Sequence, residues 1–178
     1  MKMPNRNLSK VTSKPADYRD YLSEPYLDAD AATFPHGVVV ATNGSILAAC
    51  PVELDDGDTS GHVSNEAIKA AIKASPARKK TDKTANIRAN GSLELDSGAT
   101  YPRENIGTFP DYKRVIPDKS KAEMVISLDA KLLKELADAI CTPGSSIVTL
   151  HIKDNRDAFY VDSDKASDCY GVIMPCRI

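Results

Sequence analysis

The stretch "SNEAIKAAIKASP", residues 64–76, reads as one short amphipathic helix with both ends written into it. Ile68, Ala71 and Ile72 recur at the three- and four-residue spacing that gathers apolar side chains on one face. Ser64 or Asn65 can cap the start, Glu66 sits in the first turn where a helix N-terminus favours negative charge, and Pro76 lies just past the end. The same design returns in "DAKLLKELADAICTPG", residues 129–144. Asp129 can cap that helix, Leu132, Leu133, Leu136 and Ile140 form its stripe, and Thr142-Pro143-Gly144 stops it. Helices are therefore predicted at Asn65 to Ser75 and Ala130 to Cys141, with Leu132 and Leu136 answering Ile68 and Ile72 after 64 residues.

Strand signals surround both helices. "VVVATNGSILAAC" (38–50) and "ANIRANGSLEL" (85–95) are apolar runs broken at Asn-Gly, a strong short hairpin signal, and a further strand is expected near Ala99 to Tyr101. "MVISL" (124–128) reads as a strand before the second helix. After it, "SIVTLHI" (146–152) and "AFYVDS" (158–163) flank a turn, and "CYGVIMPCRI" (169–178) supplies a final strand. The chain thus repeats cap, helix, proline stop and strand pair, in pattern rather than in identity. Such a duplication implies an α+β fold with a pseudo-twofold internal repeat, two short helices on the same side of antiparallel sheets. Short helices and hairpins argue against a parallel doubly wound sheet.

Between the repeats lies "FPDYKRVIP", residues 109–117. Pro110 and Pro117 push the residues before them out of the helical region, so an extended connector is expected, pinned by Phe109, Tyr112, Val115 and Ile116. The domain reading is a polar N-terminal segment at 1–20, free to be flexible, followed by a single domain at 21–178. Its halves are about 21–108 and 118–178, joined by the connector.

Composition narrows the function classes. The 178 residues, 42% hydrophobic and 27% charged, suit an ordinary globular chain. A net charge of −2 gives no overall pull toward nucleic acid or membrane. No apolar run approaches the roughly 20 residues needed to cross a bilayer, and no signal peptide is apparent, which makes a cytoplasmic location the default. Cys50, Cys141, Cys169 and Cys176 lack metal-ligand spacing, and His36, His62 and His151 are scattered, so no metal or cofactor is expected. Asp56, Asp58, Ser60 and Gly61 imitate the opening of a calcium loop, but Ala67 stands where the closing glutamate must be. Asp162, Asp164 and Asp168 read as a turn. No nucleophile elbow, zinc motif or phosphate loop is present, so no enzyme and no catalytic residue are predicted.

Three strings, "VVVATNGSILA" (38–48), "FPDYKRVIP" (109–117) and "VIMPCRI" (172–178), appear in the order and style of the bacterial DNA polymerase sliding clamp, or beta-clamp, family. The sequence resembles that family over about 21–178, as a shortened single-domain relative with a DNA-clamp-like domain. The family shows V-A-T-D-G-H-R-L-A, F-P-D-Y-x-R-V-x-P and V-M-P-M-R-L at these places. Here Asn43 replaces the Asp, Ser45-Ile46 the H-R pair, and Cys176 the second Met. Family clamps carry three domains per chain and close a ring of two chains around duplex DNA.

The resemblance implies a replication or repair accessory protein that tethers DNA polymerase or other clamp-binding proteins through their linear peptides. Its partner groove would comprise Thr42, Gly44, Leu47, Pro117, Val172, Met174, Pro175 and Arg177, with the last strand beside the Val40–Leu47 hairpin. Duplex DNA, held without sequence preference, would meet Lys69, Lys73, Arg78, Lys79, Lys80, Lys83, Lys131 and Lys134. The alternative is a clamp-fold interaction module, a decoy or adaptor that does not encircle DNA. A homo-oligomeric ring would need about six copies paired edge to edge. A monomer or dimer in dilute solution is the expectation.

Overall fold

The computed structural model describes residues 1–4, 6–14, 18–30, 36–74, 84–163 and 169–176. They fall into two compact units, Met1–Tyr112 and Lys113–Ile178. The division lies inside the connector, where the sequence reading has one domain with two halves.

The first unit has two antiparallel sheets. Strands β2 (Tyr26–Asp28), β3 (Val38–Thr42), β4 (Leu47–Pro51) and β5 (Gly61–His62) follow the order β4-β3-β2-β5, while β1 (Lys2–Pro4), β6 (Thr84–Asn90), β7 (Ser92–Leu95) and β8 (Thr100–Pro102) follow β1-β6-β7-β8. Helix α1 (Asn65–Ala74) packs on β6 and β7. Its Ala67, Ile68 and Ala71 are buried against the inward residues Ala85, Ile87 and Ala89 of β6. Ser64 Oγ caps the helix by accepting from the Ala67 amide at 3.0 Å.

The N-terminal segment is not a polar appendage. Met1 and Met3 are fully buried, and Lys2 to Pro4 pair with Asn86 to Thr84. Met1 and Met3 alternate with the period of a strand, but the run is too short to read as one from sequence, so the strand is set by its tertiary partner. The Met1 ammonium donates to Asp55 at 2.9 Å and to the Ile87 carbonyl at 2.6 Å, and pairs with Asp58. Asp58 also accepts from the amides of Ala89 (2.7 Å) and Asp55 (2.9 Å). Burial works against its charge, yet these donors outweigh that and hold its carboxyl below the usual range. The calcium-like string therefore spends its central carboxylate inside the fold. Arg103 is a second internal tie, donating to the carbonyls of His62 (3.0 Å), Ala89 (2.9 Å) and Thr59 (2.6 Å).

The second unit is simpler. Helix α2 (Ala130–Ile140), capped by Asp129 through the Lys131 amide at 2.8 Å, precedes the antiparallel strands β9 (Thr149–His151), β10 (Phe159–Asp162) and β11 (Tyr170–Ile173), in the order β11-β10-β9. Leu133, Leu136 and Ile140 meet Phe159, Val161 and Ile173 in its core. Gly171 matters here because a Cβ at that position would stand 3.1 Å from Leu136 Cγ. Each helix thus leads into a three-strand antiparallel meander that it packs upon, β6-β7-β8 and β9-β10-β11. That is the predicted α+β repeat in physical form.

Three details differ from expectation. Leu132 is exposed rather than part of the stripe, being one residue off the face that Leu133 and Leu136 define. "MVISL" forms no strand. Ile126 and Leu128 still pack on the second core, and the Ser127 carbonyl accepts from Cys176 at 2.7 Å. The connector contains a 3-10 turn at Tyr112–Val115. Proline fixes only φ near −65°, which extended and 3-10 backbones share, so Pro110 does not forbid the turn.

Phe109 and Tyr112 do pin the connector, whereas Val115 and Ile116 are 69% and 43% exposed. Phe109 stacks on Tyr26 with centroids 5.0 Å apart. The Tyr112 hydroxyl donates to buried Asp28 at 2.8 Å. Burial, then the Asp28 bond and charge, push the phenol's pKa up, so it remains a donor across the physiological range. Tyr112→Phe removes a charge-assisted bond, and a loss of about 1.5–3 kcal/mol is expected. Urea unfolding should show it as a lower midpoint at unchanged slope. An unchanged midpoint would mean the bond contributes nothing.

Candidate functional site

The residues expected to grip a partner peptide divide between the two units. Thr42, Gly44 and Leu47 sit at the β3–β4 turn, Pro117, Val172, Met174 and Pro175 belong to the second unit, and Arg177 lies outside the described residues.

The turn is built by its own side chains. Thr42 Oγ1 donates to the Ile46 carbonyl at 2.7 Å and accepts from the Gly44 amide at 3.0 Å. Asn43 Oδ1 accepts from the amides of Ser45 (2.9 Å) and Ile46 (3.1 Å). Gly44 has φ +90°, a backbone conformation that residues with a Cβ rarely adopt, which favours glycine at this position. Four residues connect the strands, because Thr42 pairs with Leu47, where the sequence suggested a tight Asn-Gly turn. Leu47 is half-buried against Val38, Val40 and Tyr112, leaving part of its side chain at the surface.

In the second unit, alternation along β11 sorts the tail. Ile173 enters the core, while Val172 and Met174 are 59% and 61% exposed and Pro175 is half-buried. A terminal strand reads as core throughout by composition, but the period of two along β11 turns Val172 outward, and Met174, just past its end, is exposed as well. Pro117 is exposed. The same outward face carries features that no sequence motif marked. Tyr160 stacks on Tyr170 at 5.2 Å, His151 meets Tyr160 edge-on at 5.7 Å, and His151 Nε2 lies 2.5 Å from Asp162. The alternation in "FYVD" (159–162) was the signal available.

The predicted DNA-facing cations are unequal. Lys69 and Lys73 are exposed on α1, four residues apart. On α2, Lys131 approaches Glu135 at 3.6 Å and Lys134 pairs with Asp138, so each charge is offset one turn later. Arg78, Lys79, Lys80 and Lys83 lie outside the described residues. Among the described residues no group of three His, Cys, Asp or Glu is placed to hold a metal ion, and no helix is long and apolar enough to cross a membrane.

No protein-family model and no curated protein matches this sequence. Solved structures do match it. The chain is similar to the sliding clamp (DNA polymerase III subunit beta) of Bartonella birtlesii, solved bound to griselimycin, with a TM-score of 0.69 at 18% identity over 100% of this chain and 51% of that one. It is similar to the DNA polymerase sliding clamp of Pseudomonas aeruginosa (TM-score 0.67, 16% identity, 98% and 50% covered). The beta sliding clamp of Caulobacter crescentus gives a TM-score of 0.67 at 19% identity, again over 98% and 50%. The fold is that of these clamps, and the chain spans about half their length.

Because Thr42 closes the turn from both sides, Thr42→Val should loosen it and cost about 0.5–1.5 kcal/mol, the net worth of a hydrogen bond, since the freed Gly44 amide and Ile46 carbonyl belong to exposed residues that water can reach. Hydrogen exchange at the Gly44 amide should accelerate in the variant. Unchanged protection would remove Thr42 from the structural basis of the turn.

Proposed function

We propose that this chain is a sliding-clamp-like accessory protein of DNA replication or repair that holds partner proteins by their linear peptides and performs no chemistry of its own. The observation that carries the reading is a clamp fold spanning the chain whose C-terminal end exposes Val172 on the last strand and Met174 just after it. A partner peptide needs apolar anchoring points that are not already spent on the core. Val172, Met174, Pro175 and Pro117 offer these in the second unit, and Leu47 at the β3–β4 turn does so in the first, with Thr42 and Gly44 shaping the backbone there. Methionine suits such a surface because its flexible, polarisable side chain adapts to varied ligands. Arg177 would complete the set. A cytoplasmic location accompanies this role.

DNA contact belongs to the same reading through Lys69, Lys73, Lys131 and Lys134, joined by Arg78, Lys79, Lys80 and Lys83. A second reading, an adaptor or decoy that engages clamp-binding proteins without encircling DNA, is favoured by the carboxylates beside Lys131 and Lys134.

Fluorescence polarisation with a labelled clamp-binding peptide tests the tethering role. Saturable binding is expected. Deleting 174–178 should weaken binding about tenfold or more, the equivalent of losing one buried apolar anchor. Absence of binding at high micromolar concentration would leave the fold likeness without the role.

Duplex DNA separates the two readings. A tether that rides on DNA should bind it with affinity falling steeply from about 50 to 200 mM salt, and Lys69→Glu with Lys73→Glu should flatten that slope. Peptide binding without salt-sensitive DNA binding would select the adaptor.

A further inference from the structure

Apart from the partner surface, the first unit holds a cleft of about 490 Å³ at the start of α1. Ser13, Glu24, Asn65, Glu66 and Glu104 line it, and Lys14 and Lys69 stand at it with exposed side chains. A helix N-terminus ordinarily attracts an anion. Here that end is already answered. Ser64 Oγ takes the Ala67 amide, Glu24 bonds the Asn65 backbone, and Glu66 sits in the first turn. An anion entering the cleft would meet three carboxylates.

Two groups in the cleft are unmet: the Asn65 amide oxygen, which can only accept, and the Ser13 hydroxyl, which can accept or donate. Ser13 is 6% exposed, and its Oγ is buried with no hydrogen-bond partner among the described residues. Asn65 Oδ1 is in the same condition. Its orientation is fixed, because Asn65 Nδ2 donates to the Ser23 carbonyl at 2.8 Å and reaches Thr12 Oγ1 at 3.4 Å. A buried acceptor without a donor costs free energy that a suitable ligand recovers. Glu24 adds a charge requirement. Burial first, then the nearness of Glu104 and Glu66, raises its carboxyl above the usual range, and a cation set among the three would relieve that crowding.

We propose that this cleft binds a guanidinium or alkylammonium group, whose N–H donors meet Ser13 Oγ, Asn65 Oδ1 and the Glu24 carboxylate. Two sources carry this chemistry, an arginine or lysine side chain presented by a partner and a free polyamine. A neutral donor would satisfy Ser13 and Asn65 but leave the three carboxylates facing one another. The site is independent of the peptide surface on β11, so its failure leaves the clamp reading untouched.

Amide-resolved NMR titration of the full chain tests it, using agmatine, a capped Gly-Arg-Gly peptide, and the neutral analogue butylurea. Agmatine should give saturable shifts at Ser13, Glu24 and Asn65. Glu24→Gln should weaken binding about tenfold, the size of one lost charged hydrogen bond. Ser13→Ala removes only the unpartnered hydroxyl, so it should fold normally and still bind several-fold more weakly, which decides the matter if Glu24→Gln unfolds. Tighter binding of the peptide than of agmatine identifies a partner's side chain, and equal binding identifies a free amine. The proposal falls if agmatine gives no saturable shift by tens of millimolar, if butylurea binds as well, or if a folded Glu24→Gln or Ser13→Ala binds unchanged.

Discussion

The hydrogen bond from Tyr112 to Asp28 binds two segments far apart in sequence at a buried position. A carboxylate held on β2 away from water must be compensated, and the phenol does so from the connector. With Tyr112 fixed, Phe109 comes to rest on Tyr26, and Tyr112 joins Val38 and Val40 in a small cluster that Leu47 and Phe109 cover. That cluster lies at the base of the β3–β4 turn. The placement of Thr42, Gly44 and Leu47 is therefore tied to a connector some seventy residues later, whose Phe109 and Tyr112 act as part of the first unit's core.

How much of this could be read beforehand depends on whether a signal was local. Both helices were legible because period, cap and stop all lie within the segment itself, and their observed bounds fall within one residue of the reading. The hairpins at Asn43-Gly44 and Asn90-Gly91 were legible for the same reason. Strand β1 was not, since only its pairing with β6 gives its polar sequence an extended form. Val115 and Ile116 look like anchors by composition, yet the turn beginning at Tyr112 carries them to the surface. Of the candidate site, the turn and the tail were found through family-like strings, whereas the tyrosine stack and the acidic cleft were not. The latter arise from residues that become neighbours only when strands and loops are assembled.

The charge distribution shows why a fold cannot stand in for a function. A cationic helix face is a matter of net field rather than of lysine count. On α2 the spacing that places Lys131 and Lys134 on the helix surface also places Glu135 and Asp138 one turn away. On α1, Lys69 faces an acidic cleft on one side. Two helices of the same shape can thus present quite different potentials to a phosphate backbone, and the half-length of this chain relative to the clamps it resembles makes such local balances weigh more heavily.

The pairing of β1 with β6 also bears on how the chain is made. Translation delivers residues at about 5–20 per second, so Met1 to Pro4 emerge on the order of ten seconds before their partners Thr84 to Asn86. During that interval two large apolar side chains have no sheet to join, and α1 can form but lacks the β6 surface that buries it. The nascent first unit is therefore obliged to wait, partly collapsed, for a strand near its far end. Its vulnerability to chaperones and proteases is concentrated in that window of synthesis rather than in the finished molecule.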